Sequence, residues 1–84
     1  MTEHVKKNME EFWGEGHNDE DYRYLEKELA NWEKRYKDMS YTKLVLIKEV
    51  CHKQNWIRKN RRVGHDVSTD VAKLLSIMEK LVLF

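Results

Sequence analysis

Six apolar side chains, Tyr22, Leu25, Leu29, Trp32, Tyr36 and Met39, recur at 3-4-3-4-3 spacing. That rhythm stacks them along one stripe of an α-helix, whereas a strand would send its side chains alternately to opposite faces. Asn18 or Asp19 supplies an N-cap, and Glu20 and Asp21 follow in the first turn, where the helix dipole favours negative charge. A first long helix is therefore predicted over 19–39. Continuing its ladder would place Lys43 and Lys53 in the stripe, while Ile47, Val50 and Ile57 establish a new one. With Ser40 and Thr42 available as caps, this phase jump predicts a tight turn near 38–42, although neither Pro nor Gly marks it. The second helix runs over 42–62, with Arg61 and Arg62 in its last turn and Gly64 as the C′ residue. Asp66 caps a third over 66–83, whose ladder is Val67, Val71, Leu74, Met78 and Leu81.

Upstream, Val5, Met9 and Phe12 at helical spacing predict a short helical segment within 1–12. Gly14 and Gly16 end it, since each glycine costs a helix about 1 kcal/mol. Phe12 and Trp13 beside that turn read as a hydrophobic plug over Tyr22 or Tyr24, with an exposed recognition motif as the competing reading. By the helical rise the two long helices each span about 31 Å and the third about 27 Å. Matched lengths and short connections predict an all-α fold, an antiparallel helical hairpin with a third packed helix and a short N-terminal helical segment, as one domain over 1–84. The expected core is Tyr22, Leu25, Leu29, Trp32, Tyr36, Ile47, Val50, Ile57, Val71, Leu74, Met78 and Leu81. Leu75, Ile77, Val82, Leu83 and Phe84 widen the apolar face of the third helix beyond what one hairpin covers, which predicts a homodimer through it, or else a central place for it in the bundle.

A chain of 84 residues holds one small core. Its single cysteine, Cys51, forms no internal disulfide, which fits a reducing compartment. The polar N-terminus lacks the apolar region of a signal peptide, and no apolar stretch approaches membrane-spanning length, so a soluble cytoplasmic protein is expected. Charge is informative in its distribution. Residues 1–41 carry 7 Lys/Arg against 11 Asp/Glu, a net of −4, and residues 42–84 carry 9 against 4, a net of +5. Such a dipolar molecule can steer one end towards a polyanion, or its acidic helix can simply complement its basic one.

Enzymatic motifs are absent. Cys51 and His52 are neighbours on a helix, so their side chains diverge by about 100° and neither chelate a metal together nor form a nucleophile–base pair. Gly14-Glu15-Gly16 lacks the third glycine and the lysine of a phosphate loop. No catalytic residue, metal or cofactor is expected. The stronger candidate is a basic stripe on the second helix: Lys48, His52, Asn55, Lys59 and Arg62 at 4-3-4-3 spacing, with Trp56 beside it and Lys53, Asn60 and Arg61 at its edges. Cations, amides and an indole in one row suit phosphates and bases, or a protein groove; they also suit a plain solvated face. The predicted binding residues are Lys48, His52, Asn55, Trp56, Lys59, Arg61 and Arg62.

The run FWGEGHNDEDYRYLEKELANWEKRY, followed by IRKNRRVGHDV, resembles an uncharacterised protein family of tailed phages infecting Gram-positive bacteria. Phe12, Trp13, Gly14, Tyr22, Tyr24, Leu25, Glu26, Trp32, Arg35, Tyr36, Ile57, Arg58, Gly64, Asp66 and Val67 carry the similarity, over some three quarters of the chain. The chain resembles only the helical domain of that family. Family genes tend to lie near DNA-packaging genes, some labelled terminase small subunit by position. The resemblance thus implies a packaging-associated or nucleic-acid-binding accessory module in the cytoplasm of an infected host. The alternative is a small phage inhibitor of a host defence nuclease, anti-CRISPR-like, whose partner is a protein; a net charge of +1 excludes nucleic-acid mimicry by charge.

Overall fold

The described residues form four helices: α1 (Glu3–Trp13), α2 (Asp19–Arg35), α3 (Tyr41–Arg62) and α4 (Ser68–Val82). The structure, a computed structural model, describes residues 3–38 and 40–82, the last without its side chain. Met39, Leu83, Phe84 and the side chain of Val82, invoked in the ladder and the dimer face, lie outside the described set.

Each boundary has a local cause. Asn18 caps α2 through a reciprocal pair: its Oδ1 accepts from the Asp21 N–H at 2.8 Å, and Asp21 Oδ2 accepts from the Asn18 N–H at 3.1 Å. The helix was expected to reach residue 39 but ends at Arg35, with Tyr36 already extended at φ −122°. The Tyr36 ring still stacks on Trp32 at 6.1 Å, with the Lys43 ammonium 4.8 Å from it. Its place in the side-chain ladder thus survives after the backbone has left the helix. Ser40 caps α3, its Oγ accepting from the Lys43 N–H at 3.2 Å. At the other end Gly64, at φ +81°, permits the paired closing bonds from His65 N–H to Asn60 O (2.9 Å) and from Gly64 N–H to Arg61 O (3.1 Å). Asp66 does not open α4 at 66; its carboxylate accepts from the Ser68 N–H at 3.0 Å, and α4 begins there.

α3 is the central element: α2 and α4 both pack on it, and α1 packs on α2. The molecule is flat, 38 × 37 × 18 Å, and its radius of gyration of 13.5 Å exceeds the roughly 12 Å of a sphere-like chain this long. Trp13, Tyr22, Leu25, Leu29, Trp32, Ile47, Val50, Cys51 and Leu81 form the buried cluster. Four residues assigned to the core by their spacing, Tyr36, Val71, Leu74 and Met78, are only partly buried. In a flat layer α4 is covered on one flank, so the middle of its apolar stripe stays open. Phe12 and Trp13 form the expected plug, set against both α2 and α3. Trp13 meets the His52 ring edge-on at 5.4 Å and donates Nε1–H to Glu26 at 2.8 Å, and Tyr22 O–H donates to Gly14 O at 2.8 Å.

Candidate functional site

Among the described residues two polar side chains sit inside the core boundary: Asp21 at 1% exposure and Asn55 at 3%. The first turn of α2 faces the last turns of α3, which puts an acidic helix start against a basic helix end. Asp21 Oδ1 accepts from Asn55 Nδ2 and from an Arg58 guanidinium N–H, both at 3.3 Å, and Oδ2 accepts from Lys59 Nζ at 3.1 Å. Arg58 also donates to Asn55 Oδ1 at 2.7 Å and lies 4.6 Å over the Tyr24 ring. Outside this knot, Glu20 accepts from Arg58 at 3.1 Å and from Arg62 at 3.0 Å. Burial pushes the Asp21 carboxyl up, but the Asn18 N–H, Lys59 and Asn55 outweigh it, leaving its pKa below the ordinary aspartate value.

The predicted stripe therefore divides. Asn55, Lys59 and Arg62 belong to this seam between α2 and α3. Lys48 sits 4.3 Å over the Phe12 ring. His52 is half-buried, stacked on His17 at 5.5 Å, and burial followed by the neighbouring His17 lowers its pKa. Arg61 is exposed, and Trp56 keeps 55% of its surface in water.

Beside Trp56 opens a groove of about 750 Å³ between α3 and α4, closed at one end by Gly16 and His17. His52, Asn55, Trp56 and Lys59 of the predicted set line it; Lys48, Arg61 and Arg62 do not. α4 adds Lys73, Ser76 and Ile77, and α3 adds Lys53 and Glu49, the one lining carboxylate among the described residues. Lys53 is held by Asp70 at 3.0 Å and Lys59 by Asp21, whereas Lys73 has no carboxylate within ion-pair distance among the described residues. Lys73 was missed because α4 was read only for its apolar ladder; Lys73, Ser76 and Lys80 on its other side repeat at helical spacing and carried the signal. The volume falls within the usual range for ligand sites. The groove sets an indole face among the ammonium groups of Lys53, Lys59 and Lys73, a surface with the chemistry to stack on a flat ring and attract negative charge.

Cys51 is fully buried, its thiol pushed up to about 12 by burial and by Glu28 and Glu26. It is held protonated and out of reach. Among the described residues no group of three or more His, Cys, Asp or Glu is arranged to hold a metal ion, and no helix is long and apolar enough to cross a membrane.

The model of one protein family, the YonG second domain, matches residues 17–83, which span α2, α3 and α4. The chain belongs to that family. YonG is a phage-like (SPβ) protein family, so the phage character expected from the Phe-Trp-Gly and Tyr-x-Tyr-Leu-Glu motifs holds at the level of lineage. No curated protein and no solved structure is similar enough to this chain to match it.

Proposed function

We propose that this chain is a non-enzymatic helical binding module that engages nucleic acid through the Trp56 groove, as an accessory of phage DNA packaging in the cytoplasm of the infected host. The observation that carries this reading is the half-exposed indole of Trp56 flanked by Lys53, Lys59 and Lys73, with Glu49 the one opposing carboxylate among the described residues. Stacking on the indole would contribute about 1–3 kcal/mol per base, and the ammonium groups would follow the phosphates. The protonated, inaccessible Cys51 supports a non-catalytic role.

A second reading, inhibition of a host defence nuclease in the manner of an anti-CRISPR protein, is favoured by a different observation. Lys53, Lys59 and Arg62 already hold carboxylates of this chain, so Trp56 stands out more as an apolar anchor than as part of a free cationic row.

Titrating fluorescent single- and double-stranded DNA at several salt concentrations separates the two. The nucleic-acid reading expects affinity to fall steeply with salt through counterion release, and both Trp56→Ala and Lys73→Glu to weaken binding while the helices remain intact. DNA affinity that is undetectable at low salt, or unchanged in both variants, removes it. A nuclease partner would instead give salt-tolerant binding dominated by Trp56.

A further inference from the structure

A trough independent of the Trp56 groove runs between α2 and α4 with α3 as its floor. Towards the end of α3 it is a hollow of about 510 Å³ lined by Tyr24, Ile57, Arg61, Val71 and Leu74. Towards the end of α2 it continues as one of about 430 Å³ lined by Glu28, Trp32, Lys34, Arg35 and Met78. Gln54 lines both and joins them.

Three observations mark this trough as incomplete. Val71, Leu74 and Met78 follow 3-4 spacing, the signature of a core stripe, yet all three remain partly open. Among the described residues the buried side-chain atoms without a hydrogen-bond partner are Gln54 Oε1 and Arg58 Nε, and both residues line it. Its ends are basic: Lys34, Arg35 and Arg61 have no carboxylate within ion-pair distance among the described residues, and Glu28 is the one acidic residue lining either hollow.

We propose that this trough docks an amphipathic helix with an acidic flank, supplied by a partner protein. An apolar wall spaced 3-4 meets the i, i+3, i+4, i+7 anchors of a helix, and walls that are themselves helices offer no strand edge to extend. Val71 to Met78 is seven helical rises, about 10 Å of wall, enough for two turns of a ligand helix. Cations at both ends select carboxylates flanking its apolar face. A second copy of this chain is disfavoured, because an isologous contact would bring Arg61 and Arg35 against basic ends of their own kind.

The probe is a synthetic amphipathic peptide of about sixteen residues, long enough for four turns, with leucines at i, i+3, i+4 and i+7 and glutamates along both flanks. Its control carries lysines in place of the glutamates. Fluorescence anisotropy with the full chain should show the glutamate peptide binding at least about tenfold more tightly than the lysine peptide. Leu74→Glu should abolish binding with helicity retained by circular dichroism. Arg61→Glu, on an exposed side chain, should weaken the glutamate peptide and favour the lysine one, which tests the proposal even if Leu74→Glu fails to fold. Equal binding of the two peptides, no binding of either at millimolar concentration, or an Arg61→Glu variant that leaves the preference intact overturns it. So does a dimer, seen by sedimentation, that Leu74→Glu dissociates, since the occupant would then be a second copy.

Discussion

Asp21→Ala is the perturbation that most directly probes how the two halves of the chain are joined. The carboxylate is 1% exposed and serves four donors: the Asn18 N–H, Asn55, Arg58 and Lys59. Losing the capping contact removes about 0.5–1 kcal/mol. Losing the charge-assisted bonds, with Nδ2 of the buried Asn55 left without its acceptor, removes a further 1.5–3 kcal/mol or so. Lys59 and Arg58 can turn to water, which limits the damage, so a total near ~3 kcal/mol is expected. For a domain of this size each kcal/mol moves the midpoint by about 4–8 °C, so Asp21→Ala should melt roughly 10–20 °C below the parent. Circular dichroism melts at pH 7 and across the acid range measure this. Because the folded pKa of Asp21 is depressed, the unfolded chain binds more protons there. The contribution is complete above the unfolded value of about 3.9 and fades as pH falls through the folded one. The gap between parent and variant should therefore close below pH ~4. A variant melting within a few degrees of the parent at neutral pH would refute the seam as a structural element.

Other consequences follow from neighbouring residues. Trp13→Ala, which removes the plug and its bond to Glu26, should cost about 3–5 kcal/mol in denaturant titrations. Cys51 should resist a thiol reagent at pH 8 in the native protein and react fully once unfolded, since its thiol is buried and held near 12. His52, lowered by burial and by His17, should make the protein lose stability as pH falls through its unfolded value of about 6.5, and His52→Gln should flatten that slope in melts from pH 7.5 to 5.5.

The helices were legible because period and caps agree: Asn18, Ser40 and Gly64 each do in space what their residue types announce. The end of α2 was not, because Tyr36 keeps its ladder position by stacking on Trp32, and a ladder records side chains and not backbone. Burial of Asp21 was hidden for another reason. An aspartate in a first helical turn already has a local role in the dipole and the cap. Its further partners lie 34 to 38 residues away, fixed by the register of α3 against α2. The basic stripe was visible as a pattern, but 4-3-4-3 spacing describes a seam as well as a solvated face. Only the packing of α2 decides that Asn55 is inside and Trp56 outside.

That division changes what a charge reversal can establish. Lys59 touches both the groove and Asp21, so Lys59→Glu sets a second carboxylate against a buried one, where like charges cannot both remain ionised without cost. Such a variant should lose thermal stability together with any affinity for DNA, and its loss of binding would carry no information about the ligand. Lys73 lines the same groove from α4 and has no carboxylate partner among the described residues, so Lys73→Glu should change the groove's field and leave the midpoint where it was. Measuring melts and DNA titrations on both variants separates the roles. If Lys59→Glu abolishes binding only in proportion to unfolding, and both Lys73→Glu and Trp56→Ala bind DNA as the parent does, Lys59 serves the α2–α3 seam and the Trp56 groove is not where DNA binds.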